Sequence, residues 1–446
     1  MKIKTRRITN KDLIMLVVYK IILDCVYGFL HANLYSYYGF TLDVDYGKLL
    51  FGWVLFLFVA RYIKNKKSTV SSVFILVLFM LSFAPCLVYY QFNPEGKDWM
   101  MIIQATVILI MDMAFKSSER KQAHFRNVGV SYKNETFRFV VILFLACYLV
   151  IMFYKFGIPK LSSMSVTKIS ETRSEVKIGT LLSIIQNIIC KILCPVFLLI
   201  SIKERKPWLF VLMVFVQVYT YGITGFKTFL FIPVLVIGIG LFKNINLRDC
   251  ILYGLPLIIV VVSLLYVIIP KESTLYIYAL SVERVIFLPA KIKVAYFDYF
   301  STHDFVMFAQ STIGKLFGIP NSYPTEIPYL IGEVYFNRPE MWTNTGFIAD
   351  AYANGGVIGV ALMSLVVYYG VKIANDLVKN STDYLNKSMQ VVFLLFFISL
   401  NDGGAMSVMF SGGMIFAIIS LILIDFSDQN ATLSTQARVR LQRVKV

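Results

Sequence analysis

Polar residues and glycines gather where a long apolar run begins. Residues 341–359 hold Asn344, Asp350 and Asn354 at the mouth of that run. Polar groups that lead into hydrocarbon are expensive unless protein or water satisfies them. A helical path through the stretch would place Asp350 and Asn354 on one face. The stretch is therefore either part of a site, built on a carboxylate and two amides, or only a well-packed helix entry.

Basic residues form a second candidate site. Two long segments between apolar runs carry five Lys and Arg (155–178) and six (270–344), and Lys227 follows directly on a tight turn. Arg284 lies inside an apolar sequence. A charge without a function is less expected there than in an ordinary solvated loop. Cationic side chains gathered on one side of a membrane suggest an anionic ligand such as phosphate or pyrophosphate. For any single residue, solvated loop charge is the simpler alternative.

The composition predicts an all-α, polytopic integral membrane protein. Mean hydropathy is +0.70, and 58% of the residues are hydrophobic against 15% charged, whereas a soluble domain is about 25% charged. We predict one membrane domain over 1–446, with about twelve transmembrane helices of the length a bilayer requires. They are placed at 13–30, 47–63, 70–90, 99–115, 137–154, 180–202, 207–224, 227–242, 250–269, 354–371, 389–403 and 411–426.

The distribution of charge predicts the orientation of these helices. With the N-terminus inside, the inner segments hold 27 of the 43 Lys and Arg and the longer outer segments hold 14, which is the positive-inside bias. Both termini are then cytoplasmic, and 427–446 is a basic cytoplasmic tail. The N-terminal apolar run carries Lys20 and Asp24 and no small-residue cleavage site, so it is predicted to be a retained signal-anchor helix. The net charge of +17 meets anionic lipid headgroups, and nucleic acid is not implied.

The same topology makes 155–178 a basic outer loop and 270–344 a large outer loop between helices nine and ten. The large loop is rich in aromatic residues, and 281–313 is predicted to form one or two amphipathic helices at the outer interface. Its aromatic rings suit sugar stacking, although a membrane belt is the commoner explanation. In the glycine-rich turn 401–413, Asp402 either faces the same cavity as Asp350 or caps the turn.

Neither cysteine nor histidine usage suggests a metal or cofactor site. The six cysteines lie in or beside apolar spans with no CxxC pair, and the three histidines are scattered without an HExxH motif. Such cysteines are most simply small buried apolar residues. We therefore predict no metal and no cofactor.

The order of these features resembles a known family, the bacterial oligosaccharide repeat-unit polymerases (Wzy-type O-antigen and capsule polymerases), and more distantly the O-antigen ligases. The late motif at 344–359 reads Asn-Thr-Gly-Phe-Ile-Ala-Asp-Ala-Tyr-Ala-Asn-Gly-Gly-Val-Ile-Gly. Ile-Gly-Glu-Val-Tyr at 331–335, the basic residue in 224–228 and Arg173 before Gly179 are also similar. The ligase branch has a histidine at the start of the late motif, where this chain reads Trp-Thr-Asn, so polymerase is favoured.

The resemblance implies a GT-C-like membrane architecture in the bacterial cytoplasmic (inner) membrane. It implies metal-independent, inverting glycosyl transfer on the outer face, with a glycan on undecaprenyl pyrophosphate as donor and a lipid-linked repeat unit as acceptor. The departing pyrophosphate needs cations nearby, and the acceptor hydroxyl needs a carboxylate or imidazole. The expected partners are the lipid bilayer and, in addition, a chain-length regulator and a flippase.

Residue roles carried over from the family remain expectations. Pyrophosphate binding is assigned to Arg173, Lys227 and Arg284, and substrate binding to Asn344, Arg338 and Tyr352. The base is left open among four candidates, which are Asp350, Glu333, His303 and Glu340.

Two other functions and one structural explanation stand beside this one. An O-antigen ligase-like transferase is one alternative function, and a lipid-linked oligosaccharide flippase or transporter is the other. A flippase would show pseudo-symmetric halves, whereas the features of this chain gather in outer loops and late spans. Within the late motif, Asn344 is a candidate N-cap, and the spacing of Gly355 and Gly359 is typical of close helix packing.

Overall fold

The computed structural model describes residues 11–63, 68–120, 130–131, 134–159, 178–241, 246–311, 314, 317–379 and 383–425. Within these ranges nearly every element is helical, which confirms the all-α prediction. The exception is a two-residue parallel pairing of β1 (Val130–Ser131) with β2 (Ile424–Asp425).

The helices follow in chain order, and several are joined end to end by π-helical turns. The π-helical segments are Tyr27–His31, Leu78–Phe83, Ile189–Leu193 and Ala279–Phe287, and a 3-10 helix covers Ser36–Tyr38. The α-helices are α1 (Lys11–Val26), α2 (Ala32–Leu34), α3 (Tyr46–Ile63), α4 (Val70–Val77), α5 (Ala84–Phe92), α6 (Asp98–Arg120), α7 (Glu135–Phe156), α8 (Thr180–Ile188), α9 (Cys194–Glu204), α10 (Pro207–Thr224), α11 (Lys227–Leu241), α12 (Leu247–Ile268), α13 (Glu272–Tyr278), α14 (Leu288–Phe300), α15 (Ile327–Phe336), α16 (Phe347–Lys379), α17 (Asp383–Asp402), α18 (Ala405–Met409) and α19 (Met414–Leu423).

Ten helical runs in the described residues are long and apolar enough to cross a membrane, as expected of a multi-pass membrane protein. Two shorter apolar helices, Lys227–Gly238 and Met389–Asp402, coincide with two further predicted spans. The count of twelve stays a prediction. The ten runs are Lys11–Leu34, Tyr46–Ile63, Val70–Phe92, Asp98–Ser118, Glu135–Phe156, Leu181–Glu204, Pro207–Thr224, Leu247–Ile268, Phe347–Val378 and Ala405–Leu423.

The chain divides into two compact units. The first comprises Met1–Gln122, Asn244–Lys372 and Leu394–Gly412, and the second comprises Ala123–Lys243, Ile373–Phe393 and Gly413–Val446. The large predicted loop therefore belongs to the first unit, together with the start of α16 and the end of α17.

The most buried membrane run of the first unit is Val70–Phe92, with 94% of its apolar window buried. A helix that is apolar on every side is normally enclosed by other elements. One of its neighbours is α14, whose Ala290 carbonyl oxygen lies 3.9 Å from Cys86 Sγ. Ten of the thirteen residues of α14 are buried. The prediction of an amphipathic surface helix is therefore wrong for this part of 281–313, because α14 packs on all its faces.

The charged pair of the first helix is enclosed within the same unit. Lys20 is fully buried and pairs with Asp24. Its Nζ donates to Gln91 Oε1 at 2.7 Å and lies 5.1 Å from the centroid of the Trp53 ring. Buried charges within a span are tolerated when they are paired in this way. The contacts link α1, α3 and α5.

Candidate functional site

The polar stretch of the late motif forms a short helical entry that ends in a sharp break. α16 begins at Phe347, and its helical geometry is interrupted at Gly355 (φ −170°, ψ 30°) and Gly356 (φ 57°, ψ −146°). A Cβ at Gly355 would meet nothing within 4 Å, whereas one at Gly359 would stand 2.3 Å from the carbonyl oxygen of Ala351, which lies in the helical stretch before the break. The packing prediction is therefore wrong for Gly355, while Gly359 does permit a close approach of the two helical stretches. The adjacent Gly355 and Gly356 break the helix.

The large loop satisfies the carbonyls that this break leaves without helical partners. Val306 N donates to Ala353 O and Met307 N donates to Asn354 O, both at 3.0 Å. Phe308 N donates to Asn354 Oδ1 at 2.9 Å. Non-helical backbone at the edge of a span is stable only when such partners exist. These hydrogen bonds from the loop stabilise the polar entry.

A cavity of about 290 Å³ lies between this entry and the large loop. Its walls come from α14, the loop after it, the start of α15, the entry segment 347–354 and α18. At this volume it falls near the lower end of the range for small-ligand sites. The lining residues are Tyr296, Val306, Phe308, Gln310, Ser311, Glu326, Ile327, Pro328, Trp342, Asp350, Ala353, Asn354, Met406 and Ser407.

Asp350 lines this cavity, and its carboxylate has no partner within the described residues. Its backbone is used, since its N–H donates to Gly346 O at 3.0 Å and its carbonyl accepts from Asn354 Nδ2 at 2.8 Å. A Cβ at Gly404 would stand 2.4 Å from its Oδ2, so the carboxylate lies directly against that glycine. Within the described residues, no side chain pairs with the carboxylate and none donates a hydrogen bond to it. A carboxylate in that state is suited to accept a proton from a ligand.

Several amide and hydroxyl groups around the cavity are already engaged by the fold. Gln310 Oε1 accepts from Ile327 N at 2.9 Å, and Tyr296 Oη donates to Thr343 O at 3.1 Å. Asn354 is used at both ends of its side-chain amide. The ionisable groups left to a ligand are therefore the carboxylates of Asp350 and Glu326.

Glu326 is a wall residue that the sequence analysis missed. It occupies the N-cap position of α15, directly before Ile327 and Pro328. A proline in the first turn is a helix-start signal, so the position was recognisable as a helix end. Nothing in the sequence indicates that this helix end borders the same cavity as Asp350.

The other two residues predicted to be catalytic, together with Glu340, do not line the cavity. His303 is exposed and stacks on Tyr299 with ring centroids 3.9 Å apart, and its Nδ1 lies 2.8 Å from Tyr299 O. Glu333 and Glu340 are exposed. Of the four open candidates for the base, the cavity contains Asp350.

The three residues predicted to bind substrate have structural contacts elsewhere in the first unit. Tyr352 is buried against the ring of Phe297, with centroids 4.8 Å apart. Arg338 donates to Tyr38 Oη at 2.9 Å, and its guanidinium lies 4.8 Å from the centroid of that ring. Asn344 accepts a hydrogen bond from Trp342 Nε1. Since α16 starts only at Phe347, the prediction that Asn344 caps the helix is wrong.

The structure does not test the site predicted from the three pyrophosphate ligands. Arg284 is 64% exposed and lies 3.9 Å from the carboxylate of buried Glu283. Lys227 begins α11 in the second unit, and Arg173 lies outside the described residues. The three-cation site stays a prediction.

A buried cation that sequence reasoning grouped with the loop charges lies beside the entry instead. Lys293 of α14 is 2% exposed, and its Nζ donates to Asn401 Oδ1 at 2.6 Å. Asn401 Nδ2 in turn donates to Asp402 Oδ1 at 3.1 Å. Burial lowers the pKa of Lys293, and the charge of Asp402 opposes that shift. Asp402 thus closes a lysine–amide–carboxylate chain and is not one of the residues that line the cavity.

The pH dependence of stability is expected to report on Glu283. Burial raises the pKa of Glu283 to about 7, and Arg284 partly opposes the shift. The folded state then keeps a proton that the unfolded state releases above the ordinary value of 4.5, so stability falls as pH rises from about 4.5 to 7. The loss is expected to approach about 3 kcal/mol above this window.

The measurement is the thermal unfolding midpoint of the purified protein between pH 5 and 8. Glu283→Gln should flatten the decline, and the exposed Glu340→Gln should leave it unchanged. An identical decline in wild type and Glu283→Gln would contradict the prediction.

Comparison of the chain with protein-family models, with curated proteins and with solved structures gives no match. The case for a function therefore depends on the geometry of the cavity and on the sequence motifs.

Proposed function

We propose that this protein polymerises undecaprenyl-pyrophosphate-linked oligosaccharide repeat units by inverting, metal-independent glycosyl transfer. The observation that carries the proposal is that Asp350 lines a cavity beside the large loop and that its carboxylate has no partner within the described residues. An acceptor hydroxyl bound there attacks the anomeric carbon of the donor glycan, and Asp350 takes its proton. The bond between that carbon and the pyrophosphate oxygen breaks, and the lipid pyrophosphate leaves.

The finer placement of the protein belongs to the same proposal. It comprises twelve spans, a GT-C-like arrangement and residence in the bacterial inner membrane with both termini cytoplasmic. The large loop then faces the side on which lipid-linked repeat units are joined. A chain-length regulator and a flippase are the proposed partners.

The pyrophosphate is proposed to bind outside the cavity described above. The lining residues described for it include two carboxylates and no lysine or arginine. Cations near the leaving group stabilise its developing charge. Of the three predicted pyrophosphate ligands, Arg284 belongs to the first unit and is exposed. The cavity is accordingly assigned to the acceptor sugar.

Deletion of the gene is the direct test of the function. A polymerase predicts that the polymer ladder on a glycan gel collapses to single repeat units. Lipid extract from the deletion strain then contains the substrate, and the purified protein in proteoliposomes should convert it to a ladder. Adding a chelator should leave that conversion unchanged.

The competing functions give different outcomes. Loss of a ligase would remove all glycan attached to its final acceptor, including single units. Loss of a flippase would leave lipid-linked units on the inner face, where a probe added from outside cannot reach them. An unchanged ladder in the deletion strain would refute the proposal.

A further inference from the structure

The end of α17 packs against the entry segment that carries Asp350. A Cβ at Gly346 would stand 2.5 Å from Asn401 O and 2.9 Å from Lys293 Cε. Gly404, three residues beyond Asn401, lies against the Asp350 carboxylate. Residues 401–404 therefore touch the entry both where its helix starts and at its carboxylate. We name these four residues the clamp turn.

Lys293 anchors the clamp turn to α14. Its Nζ donates to the Asn401 side chain at 2.6 Å, and it is 2% exposed. A hydrogen bond from a buried cation is stronger than one between neutral groups, and loss of either partner leaves the other buried without compensation. The position of Asn401, and through it that of Gly404 beside Asp350, thus depends on Lys293.

We propose that Lys293 is a positioning residue for the Asp350 carboxylate, acting through Asn401 and the clamp turn. The inference rests on the proposed function for its kinetic consequence, and on contacts alone for its structural one. Lys293 is not among the residues that line the cavity, so it acts without touching the substrate. A displacement of about 1 Å at a reacting group can reduce the rate about 100-fold.

The chain supplies a matched control in Lys291. It lies in the same helix, it is also 2% exposed, and its Nζ donates to the carbonyls of Tyr38 at 2.7 Å and Gly39 at 3.0 Å. Its hydrogen bonds therefore tie α14 to a different part of the first unit. Lys291→Met and Lys293→Met remove the same charge from equally buried sites, and only the second cuts the bond to the clamp turn.

The test combines kinetics with hydrogen–deuterium exchange on full-length protein in nanodiscs. We expect Lys293→Met to lower kcat for polymerisation about 100-fold with KM nearly unchanged, and to speed exchange over 346–354. Lys291→Met should change neither. If Lys293→Met does not fold, Asn401→Leu and Asn401→Asp replace it. Asn401→Asp keeps an acceptor for Lys293 and should retain kcat within a few-fold, and Asn401→Leu should lose it.

The outcomes separate this inference from the proposed function. If wild-type protein shows no polymerisation, the proposed function fails, and faster exchange over 346–354 in Lys293→Met alone still supports the clamp. If polymerisation is found and Lys293→Met matches Lys291→Met in both kcat and exchange, the positioning role is overturned. Equal kcat for Asn401→Leu and Asn401→Asp would overturn it as well.

Discussion

Replacing Asp350 by asparagine is expected to slow polymerisation by about 10²- to 10⁴-fold, the range that one general base contributes. The amide has the shape of the carboxylate, and it cannot take a proton from the acceptor hydroxyl. Its surroundings should tolerate the change, because no cation pairs with Asp350 within the described residues. We therefore expect a loss of kcat with KM and the unfolding midpoint nearly unchanged, measured on lipid-linked repeat units in proteoliposomes.

Glu333→Gln is the matched control for this experiment. Glu333 belongs to the same family resemblance and was an equal candidate for the base, but it is exposed and does not line the cavity. Its conversion to glutamine should leave kcat within a factor of two or three of wild type. Wild-type rates in Asp350→Asn would remove Asp350 from the chemistry, and a large loss in Glu333→Gln would return that residue to it.

The second large effect is expected at the helix break, from Gly356→Ala. Gly356 has a φ of 57° and a ψ of −146°, a combination that residues with a Cβ adopt only at a cost of about 1–3 kcal/mol. A Cβ there would also stand 2.8 Å from the Phe305 ring. Relief of the strain would alter the break and the loop carbonyl contacts that depend on it. We expect a lower unfolding midpoint together with a loss of polymerisation.

Gly355→Ala provides a control one residue away. Gly355 has an extended φ of −170° that any residue adopts, and a Cβ there would meet nothing within 4 Å. This variant should keep both its unfolding midpoint and its activity. Equal damage from the two alanines would mean that the break depends on backbone flexibility in general, and the account given for Gly356 would be wrong.

The class of the protein follows from its sequence because it depends only on local composition. Apolar runs of about 20 residues must cross a bilayer as helices, since hydrocarbon offers no partner for backbone groups. The unusual position of Asp350 was recognisable for the same reason, as a carboxylate at the start of such a run. Even the face that Asp350 shares with Asn354 follows from helical spacing, and both line the cavity.

The large loop is where sequence patterns misled. From the sequence, Lys291 and Lys293 counted among the basic residues of an outer loop, either ligands of an anion or solvated charges, and 281–313 was predicted to form amphipathic helices at the outer interface. In the structure α14 is buried, because distant segments supply partners for its cations, namely the carbonyls of Tyr38 and Gly39 and the side chain of Asn401. Those partners are about 110 and 250 residues away in sequence, so no local pattern reveals them.

The sequence by itself determined that the chain is a helical membrane protein and that Asp350 stands at a costly polar entry. The tertiary structure decided which polar groups at that entry are engaged by the fold and which remain for a ligand. It assigned Asn354 to the loop backbone, Glu326 to the cavity wall and Lys293 to the clamp turn. The physical reason is that a buried polar group must find a partner, and the partner is chosen by packing in three dimensions.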